Sequence, residues 1–295
     1  MAWIADGKLA AAVSNGGGLG IISAMNADAN YLKQQIKIAR SLTDMPFGVN
    51  IMLMSPFADE IAETVVEEGV TVVTTGAGNP SKYMKRWIEA GICVVPVVAS
   101  VAMAKLMTRA GASALIAEGG ESGGHVGETS TMVLVPQICD ATSLPVIAAG
   151  GIADGRQLAA VLMLGAQGIQ MGTRFLVAQE CSVHPNYKEK VIKANDIATI
   201  TTGKRLGHPV RSLKTSFTRD FFRAEFGGMS DEELEKLGTG ALRRAAMEGD
   251  IVNGCFLCGQ VAGMVTKHQP AAEIIIEIFN RAEQVLSEAD RWTVN

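Results

Sequence analysis

The chain has no block of lysine and arginine, and its formal net charge is −4. That balance argues against nucleic acid as the main partner. No apolar stretch reaches membrane-spanning length, because glycine, proline or charge cuts each long one. The first residues lack a basic stretch followed by an apolar core and a cleavage site. A cytoplasmic protein without a membrane partner is therefore expected. Cysteine is sparse and odd in number, five in all. The single C-x-x-C, Cys255 and Cys258, has neither a second pair nor a histidine couple nearby. Packed, reduced thiols are expected there rather than a zinc site, and no metal ligands are assigned. No GKS or GKT follows a glycine-rich loop, and no G-x-G-x-x-G opens a βαβ unit with a suitable acid. A Walker A site and a Rossmann dinucleotide site are thus not indicated. Histidine is scarce too, with four residues.

What is present is apolar and periodic. Hydrophobic residues make up 48% of the 295 positions and charged ones 19%, enough for a sizeable core. Seven β-branched runs recur: GLGIISAM, PFGVNIML, VTVVTTG, CVVPVVAS, ALIAEGG, LPVIAAGG and GIQMGTRF. Their spacing of roughly 20–30 residues fits one strand, one helix and two loops. Being almost continuously apolar, they read as parallel strands buried on both faces.

The intervening segments read as helices. Ser55-Pro56 opens one with Ile61, Val65 and Val66 inward and Gly69 at its end; Asn79-Pro80 opens another with Met84, Trp87 and Ile88 on one face. Asp154 caps a third, with Leu158, Val161 and Leu162 inward and Gly165 closing it.

Strand–helix alternation allows an open doubly wound sheet or a (β/α)8 barrel. Polar and glycine residues collect after the strands, at Asn50, Gly76, Glu118 to His125, Gly150-Gly151 and Gly172-Thr173. In a barrel those ends meet on one face, which favours a TIM barrel. Closure needs eight strands, yet MAWIADGKLAAAVSNGGG reads as a loop and a helix, with Leu9, Ala12 and Val13 inward. Either a strand precedes Met1, or the barrel is open at one seam.

The expected division is a barrel over 1–177, an inserted subdomain over 178–265 after the eighth strand position, and a closing helix over 266–295. The insertion shows helical and irregular stretches without a buried strand pattern. Ile275, Ile278, Phe279, Ala282, Val285 and Leu286 would seat the closing helix on the barrel.

Barrels commonly bind phosphate with the loops after strands seven and eight. Here these are AAGGIADG and QMGTRF. Gly150, Gly151 and Gly172 let backbone approach an anion closely, Thr173 adds a hydroxyl, and Arg174 adds charge. A phosphorylated ligand is expected.

MAWIADGKLAAAVSNGGGLGIIS, PFGVNIML, TTGAGNP, IAEGGESGGHVGE, LPVIAAGGIADGR and GIQMGTRF together resemble the FMN-dependent enoyl-acyl-carrier-protein reductases, close relatives of nitronate monooxygenases. The likeness spans nearly the whole chain and is specific at superfamily level. It implies an FMN-binding (β/α)8 barrel whose phosphate contacts are Gly150, Gly151, Gly172 and Thr173, with Gln170 and Met171 beside them. Asn50 and Glu118 resemble groups that hold the isoalloxazine and ribityl parts, and Gly76, Gly123 and Gly124 belong to the same rim. Met1 and Ala2 resemble a segment lying against the flavin ring. His125 corresponds to the family's functional histidine in the GGH motif, as a proton donor, an enolate stabiliser or a nicotinamide-positioning group.

The implied reaction is reduction of a trans-2-enoyl thioester of acyl carrier protein by NADPH or NADH through FMN. Related enzymes imply a homodimer and a monovalent cation. Met52 and Met54 are candidates for an acyl slot. Lys204, Arg205, Arg211 and Lys214 are candidates for docking the acidic carrier. A nitronate monooxygenase is the second reading, with the same histidine as base. A non-catalytic phosphate-ligand sensor and a phosphosugar isomerase or aldolase complete the alternatives. The last would want a Schiff-base lysine at a strand end, and none of the seven runs ends in one.

Overall fold

The computed structural model describes residues 3–24 and 27–289. In chain order α1 (Gly7–Asn15), β1 (Gly20–Ser23), α2 (Ala29–Leu42), β2 (Phe47–Met52), α3 (Ala58–Glu67) and β3 (Val72–Gly76) come first. Next are α4 (Ser81–Glu89), β4 (Cys93–Val98), α5 (Val101–Arg109), β5 (Leu115–Glu118), β6 (Gly124–His125) and α6 (Thr131–Ala141). Then follow β7 (Val146–Ala149), α7 (Gly155–Met163), β8 (Gly168–Gln170), α8 (Thr173–Leu176) and α9 (Pro185–Ile192). The last are β9 (Thr199–Thr202), β10 (Val210–Leu213), α10 (Ser216–Phe226), α11 (Asp231–Gly238), α12 (Ala241–Arg243) and α13 (Ala271–Ser287).

All seven apolar runs form strands. They pair in parallel in the order β1-β2-β3-β4-β5-β7-β8, giving a curled, TIM-barrel-like sheet. The sheet does not close among the described residues: β1 and β8 stand at its two edges. Gly20, Ile21, Gly168 and Ile169 line a cavity of about 360 Å³ at this seam, together with interior Val72, Val95 and Ile147.

Local chemistry explains most helix ends. Asp6, Asp28, Ser100 and Asp154 each cap a helix by accepting from a backbone N–H of its first turn. Asp154 and Gln157 form a reciprocal capping box. Two expected details shift. Ser55 is not the cap of α3; its hydroxyl accepts from Phe57 N–H, and the helix opens at Ala58 after this extra turn. On α4, Met84 and Trp87 are buried, whereas Ile88 is 45% exposed. The Trp87 indole N–H donates to Ala62 at 3.0 Å, which turns the buried face toward α3 and leaves Ile88 outside it.

The closing helix seats through Ala271, Ile274, Ile278 and Ala282, a clean 3.6-residue stripe against α7 and α1. Phe279 is 59% exposed, contrary to expectation. It lies one position off that stripe and borders the seam cavity. An isolated bridge between Ala178 and Gln269 ties the two ends of the intervening segment together.

That segment does contain strands. β9 and β10 pair antiparallel, and β6 joins them on the other side of β10. They escaped the strand pattern because TITT and VRSL carry polar residues on both faces and only part of the ladder is buried. No helix among the described residues is long and apolar enough to cross a membrane.

Candidate functional site

The loop after β5 doubles back so that Gly123 sits against the backbone of Cys258; a Cβ there would come within 2.4 Å of it. After β7 the chain turns through Gly150 at φ +86° and Gly151 at φ +68°. A side chain at Gly150 would also meet the Gly119 carbonyl oxygen at 2.6 Å. Only glycine fits such a turn without strain. After β8, Gly172 and Thr173 start α8, and the Thr173 hydroxyl accepts from Gly259 N–H at 2.8 Å.

These three loops enclose one cavity of about 100 Å³. Its wall includes Glu118, Gly123, Gly150, Gly151, Gln170, Met171, Gly172 and Thr173. Thus eight of the expected cofactor residues converge. A Cβ at Gly172 would meet nothing within 4 Å, so this glycine leaves room for a ligand. The N–H groups of Gly151, Gly172 and Thr173 have no hydrogen-bond acceptor among the described residues. Unpaired donors beside side-chain-free backbone suit an oxyanion such as a phosphate.

Other expected residues stand elsewhere. Asn50 is in the sheet interior, beside Ser23 and Thr74 in register, and its Nδ2 donates to Thr74 Oγ1 at 2.9 Å. Gly76 ends β3, with its carbonyl accepting from Leu53 N–H. Met1 and Ala2 lie outside the described residues. Arg174 does not reach the cavity wall: its buried guanidinium donates to Gln269 Oε1 and lies near Glu277. Met52 and Met54 line neither cavity, and Met54 is 51% exposed.

The cavity is braced from behind by Thr131, which nothing in the sequence marked. Its hydroxyl donates toward the Gly150 carbonyl and Glu121, each at 2.9 Å, and its N–H donates to Glu121 at 2.9 Å. Inside, burial pushes the Glu118 carboxyl up to about 7, opposed by a 3.3 Å hydrogen bond from Ser122. Cys258 is also in the wall, and burial pushes its thiol up to about 12, so it is an inert neutral thiol at neutral pH. Among the described residues, no three His, Cys, Asp or Glu side chains cluster as a metal site would require.

Gly124 and His125 are not in this wall; they form β6 beside it. His125 pairs with Val210 and Gly124 with Arg211, and Val126 N–H donates to Pro209. The Arg211 guanidinium in turn donates to the Gly120 carbonyl at 2.9 Å, fastening the loop to β10. His125 is exposed at the rim, yet the protein packed round it lowers its pKa, and His208 repels its charge. The two rings face edge-on, with centroids 6.4 Å apart. Of the cations proposed for docking, Arg205 is bound to Glu225 and Asp231 and Arg211 to Gly120, which leaves Lys204 and Lys214.

A family model for nitronate monooxygenase matches residues 1–281. A probable nitronate monooxygenase of Staphylococcus aureus is 32% identical over 95% of this chain and 91% of its own length. A (3aS,4S,5R,7aS)-5-hydroxy-7a-methyl-1-oxo-octahydro-1H-indene-4-carboxyl-CoA dehydrogenase of Mycobacterium tuberculosis is 38% identical over 73% of this chain. The chain spans only 61% of that relative's length. FabK from Thermotoga maritima is 47% identical with a TM-score of 0.97, covering 99% of this chain and 94% of its own. A nitroalkane oxidase from Streptomyces ansochromogenes is 27% identical with a TM-score of 0.87, covering 97% and 95%.

Proposed function

Because the chain belongs to the nitronate monooxygenase family, we propose that it is an FMN-dependent oxidoreductase that reduces the double bond of a trans-2-enoyl thioester. The observation that carries this reading is the cavity formed by the β5, β7 and β8 loops, with unpaired N–H groups at Gly151, Gly172 and Thr173. Its donors fit a phosphate, and its glycines leave room for one. The motifs resembling enoyl-acyl-carrier-protein reductases and the 47% identity to FabK support the substrate class.

In this reading Gly150, Gly151, Gly172 and Thr173 hold the FMN phosphate, with Gln170 and Met171 beside them. FMN, when bound, supplies two-electron chemistry between NADPH or NADH and the substrate. Glu118, largely protonated below about pH 7, can donate a hydrogen bond to a carbonyl or hydroxyl within the cavity. His125 stands at the rim, where a neutral imidazole N–H stabilises charge that develops on the thioester oxygen. Its ladder to β10 fixes the backbone from which the ring projects. Lys204 and Lys214 are the cations left for an acidic carrier protein.

The test is an absorption spectrum of the purified protein, then anaerobic NADPH and NADH oxidation with crotonyl thioester. A flavin spectrum and thioester-dependent oxidation are expected. Colourless protein that takes up no added FMN would overturn the cofactor assignment. A second reading has its own support: the lowered His125 pKa leaves a neutral imidazole able to act as base on a nitroalkane carbon acid. Oxygen uptake with an alkyl nitronate, without turnover of the thioester, would decide for it, and uptake with the neutral nitroalkane as well would require the base.

A further inference from the structure

The four histidines fall into two kinds. His184 and His268 are tied down: Nδ1 of His184 accepts from Asn186 N–H at 3.1 Å, and Nδ1 of His268 lies 3.2 Å from the Val177 carbonyl. His125 and His208 have no hydrogen-bonded ring nitrogen among the described residues, and they face each other. They come from segments 83 positions apart (208 minus 125). The backbone nevertheless fixes their approach, because Val210 is the rung opposite His125 and Pro209 accepts from Val126 N–H. The turn before β10 is itself locked, with Gly203 and Gly207 at positive φ and His208 N–H donating to the Gly203 carbonyl.

We propose that His208 is the second imidazole of the functional rim, a positioning residue whose ring, set edge-on to His125 by the β6–β10 register, favours the neutral form of His125, so that an imidazole N–H is offered to a substrate oxygen. The two rings stand edge-on with their centroids 6.4 Å apart, and both are exposed at the rim. Charge on both rings at once is opposed by Coulomb repulsion, which at this distance favours a neutral His125 wherever His208 is charged. The lowered pKa of His125, caused first by burial and then by His208, agrees with that repulsion.

Apart from Glu128 and Lys204, which have no side-chain partner among the described residues, the other charged groups about the loop are engaged elsewhere. Arg211 on β10 donates to Gly120, and Glu121 is bound by Thr131 of α6. Glu118 at the end of β5 accepts from Ser122, and Arg205 in the turn is bound by Glu225 and Asp231. Lys204 is the remaining cation of that turn.

The substrate-oxygen role rests on the proposed reaction, whereas the influence of His208 on His125 does not. The experiment therefore follows protonation directly, by histidine NMR titration of the FMN-loaded protein. His208→Gln should raise the His125 midpoint by about half a pH unit, as expected for two unit charges this far apart in a water-like medium. His208→Ala should do the same, and His268→Gln, which removes a ring without contact to His125, should leave it unmoved. In parallel, the acidic limb of the pH–rate profile with crotonyl thioester should move upward by the same amount in His208→Gln. A His125 midpoint that stays put in both His208 variants overturns the pair. A shifted midpoint in protein that does not turn over the thioester supports the pair and overturns the reaction.

Discussion

The glycine cradle formed by the β5, β7 and β8 loops and the histidine ladder lie side by side but are built on opposite principles. The cradle is made by loops after consecutive parallel strands and held by steric necessity: Gly150 touches Gly119, and Gly123 touches Cys258. The ladder is a two-residue strand paired with a segment inserted far along the chain, and its working side chains are exposed. The first can be disrupted by a single added methyl group. The second should tolerate substitution and respond in rate and in pH dependence. In the proposed reading, binding and reactivity fall to parts of the molecule with different mechanical tolerance.

The largest expected effect follows from adding one carbon to the cradle. Gly150→Ala forces a side chain into left-handed backbone and against the Gly119 carbonyl. It should cost about 2–4 kcal/mol of stability and abolish FMN retention. Gly172→Ala is the contrasting variant: its φ is −111° and its Cβ would enter open space. It should leave the denaturation midpoint nearly unchanged while weakening FMN binding. Equal destabilisation by both would show that the cradle's glycines serve the fold alone.

The cradle was legible in the sequence and the ladder only half so. GG after LPVIAA and GT after GIQM name their own backbone requirements, and strand order brings them together in any such barrel. The seven strands were readable for the same reason, since parallel strands buried on both faces are almost uninterrupted runs. By contrast β9 and β10 carry Thr, Arg and Ser and present no periodicity to detect. His125 was singled out by its glycine context, but its neighbour His208 depends on an antiparallel register that local patterning does not encode. Thr131 was invisible because its value lies in what it touches behind the Gly150 turn.

On the ladder, His125→Ala should retain FMN and the fold, because no described residue bonds to its ring and its backbone pairing survives. The rate of thioester reduction should fall on the order of 100-fold, the usual effect of deleting a donor at a developing oxyanion. Steady-state kinetics beside the flavin spectrum measure both. Loss of flavin with loss of rate would erase the contrast between the two regions.

A smaller effect comes from the buried acid between them. Burial raises the Glu118 carboxyl to about 7 from the ordinary value of 4.5. Between those values the unfolded chain gives up its proton while the folded protein keeps it, so stability falls as pH rises from about 4.5 to 7 and is level above. Glu118→Gln removes this loss. In cofactor-free protein the variant should gain on the order of 2 kcal/mol relative to the parent between pH 4.5 and pH 8, read from urea midpoints. A gain that is the same at both pH values would mean that the carboxyl does not titrate in this window.

The smallest effect tests whether the cradle needs its brace. The Thr131 hydroxyl is buried and lies 2.9 Å from both Glu121 and the Gly150 carbonyl. Thr131→Val keeps the shape of the side chain and removes the donor, leaving a buried acceptor without it. A loss of about 1 kcal/mol in stability is expected. Thr131→Ser should restore most of it, since the hydroxyl returns without the methyl group. If the hydroxyl also holds the Gly150 turn in place, FMN should dissociate faster from the valine variant than from the serine variant. Similar dissociation rates would mean that glycine sterics alone shape the cradle, which would widen the mechanical difference between it and the ladder.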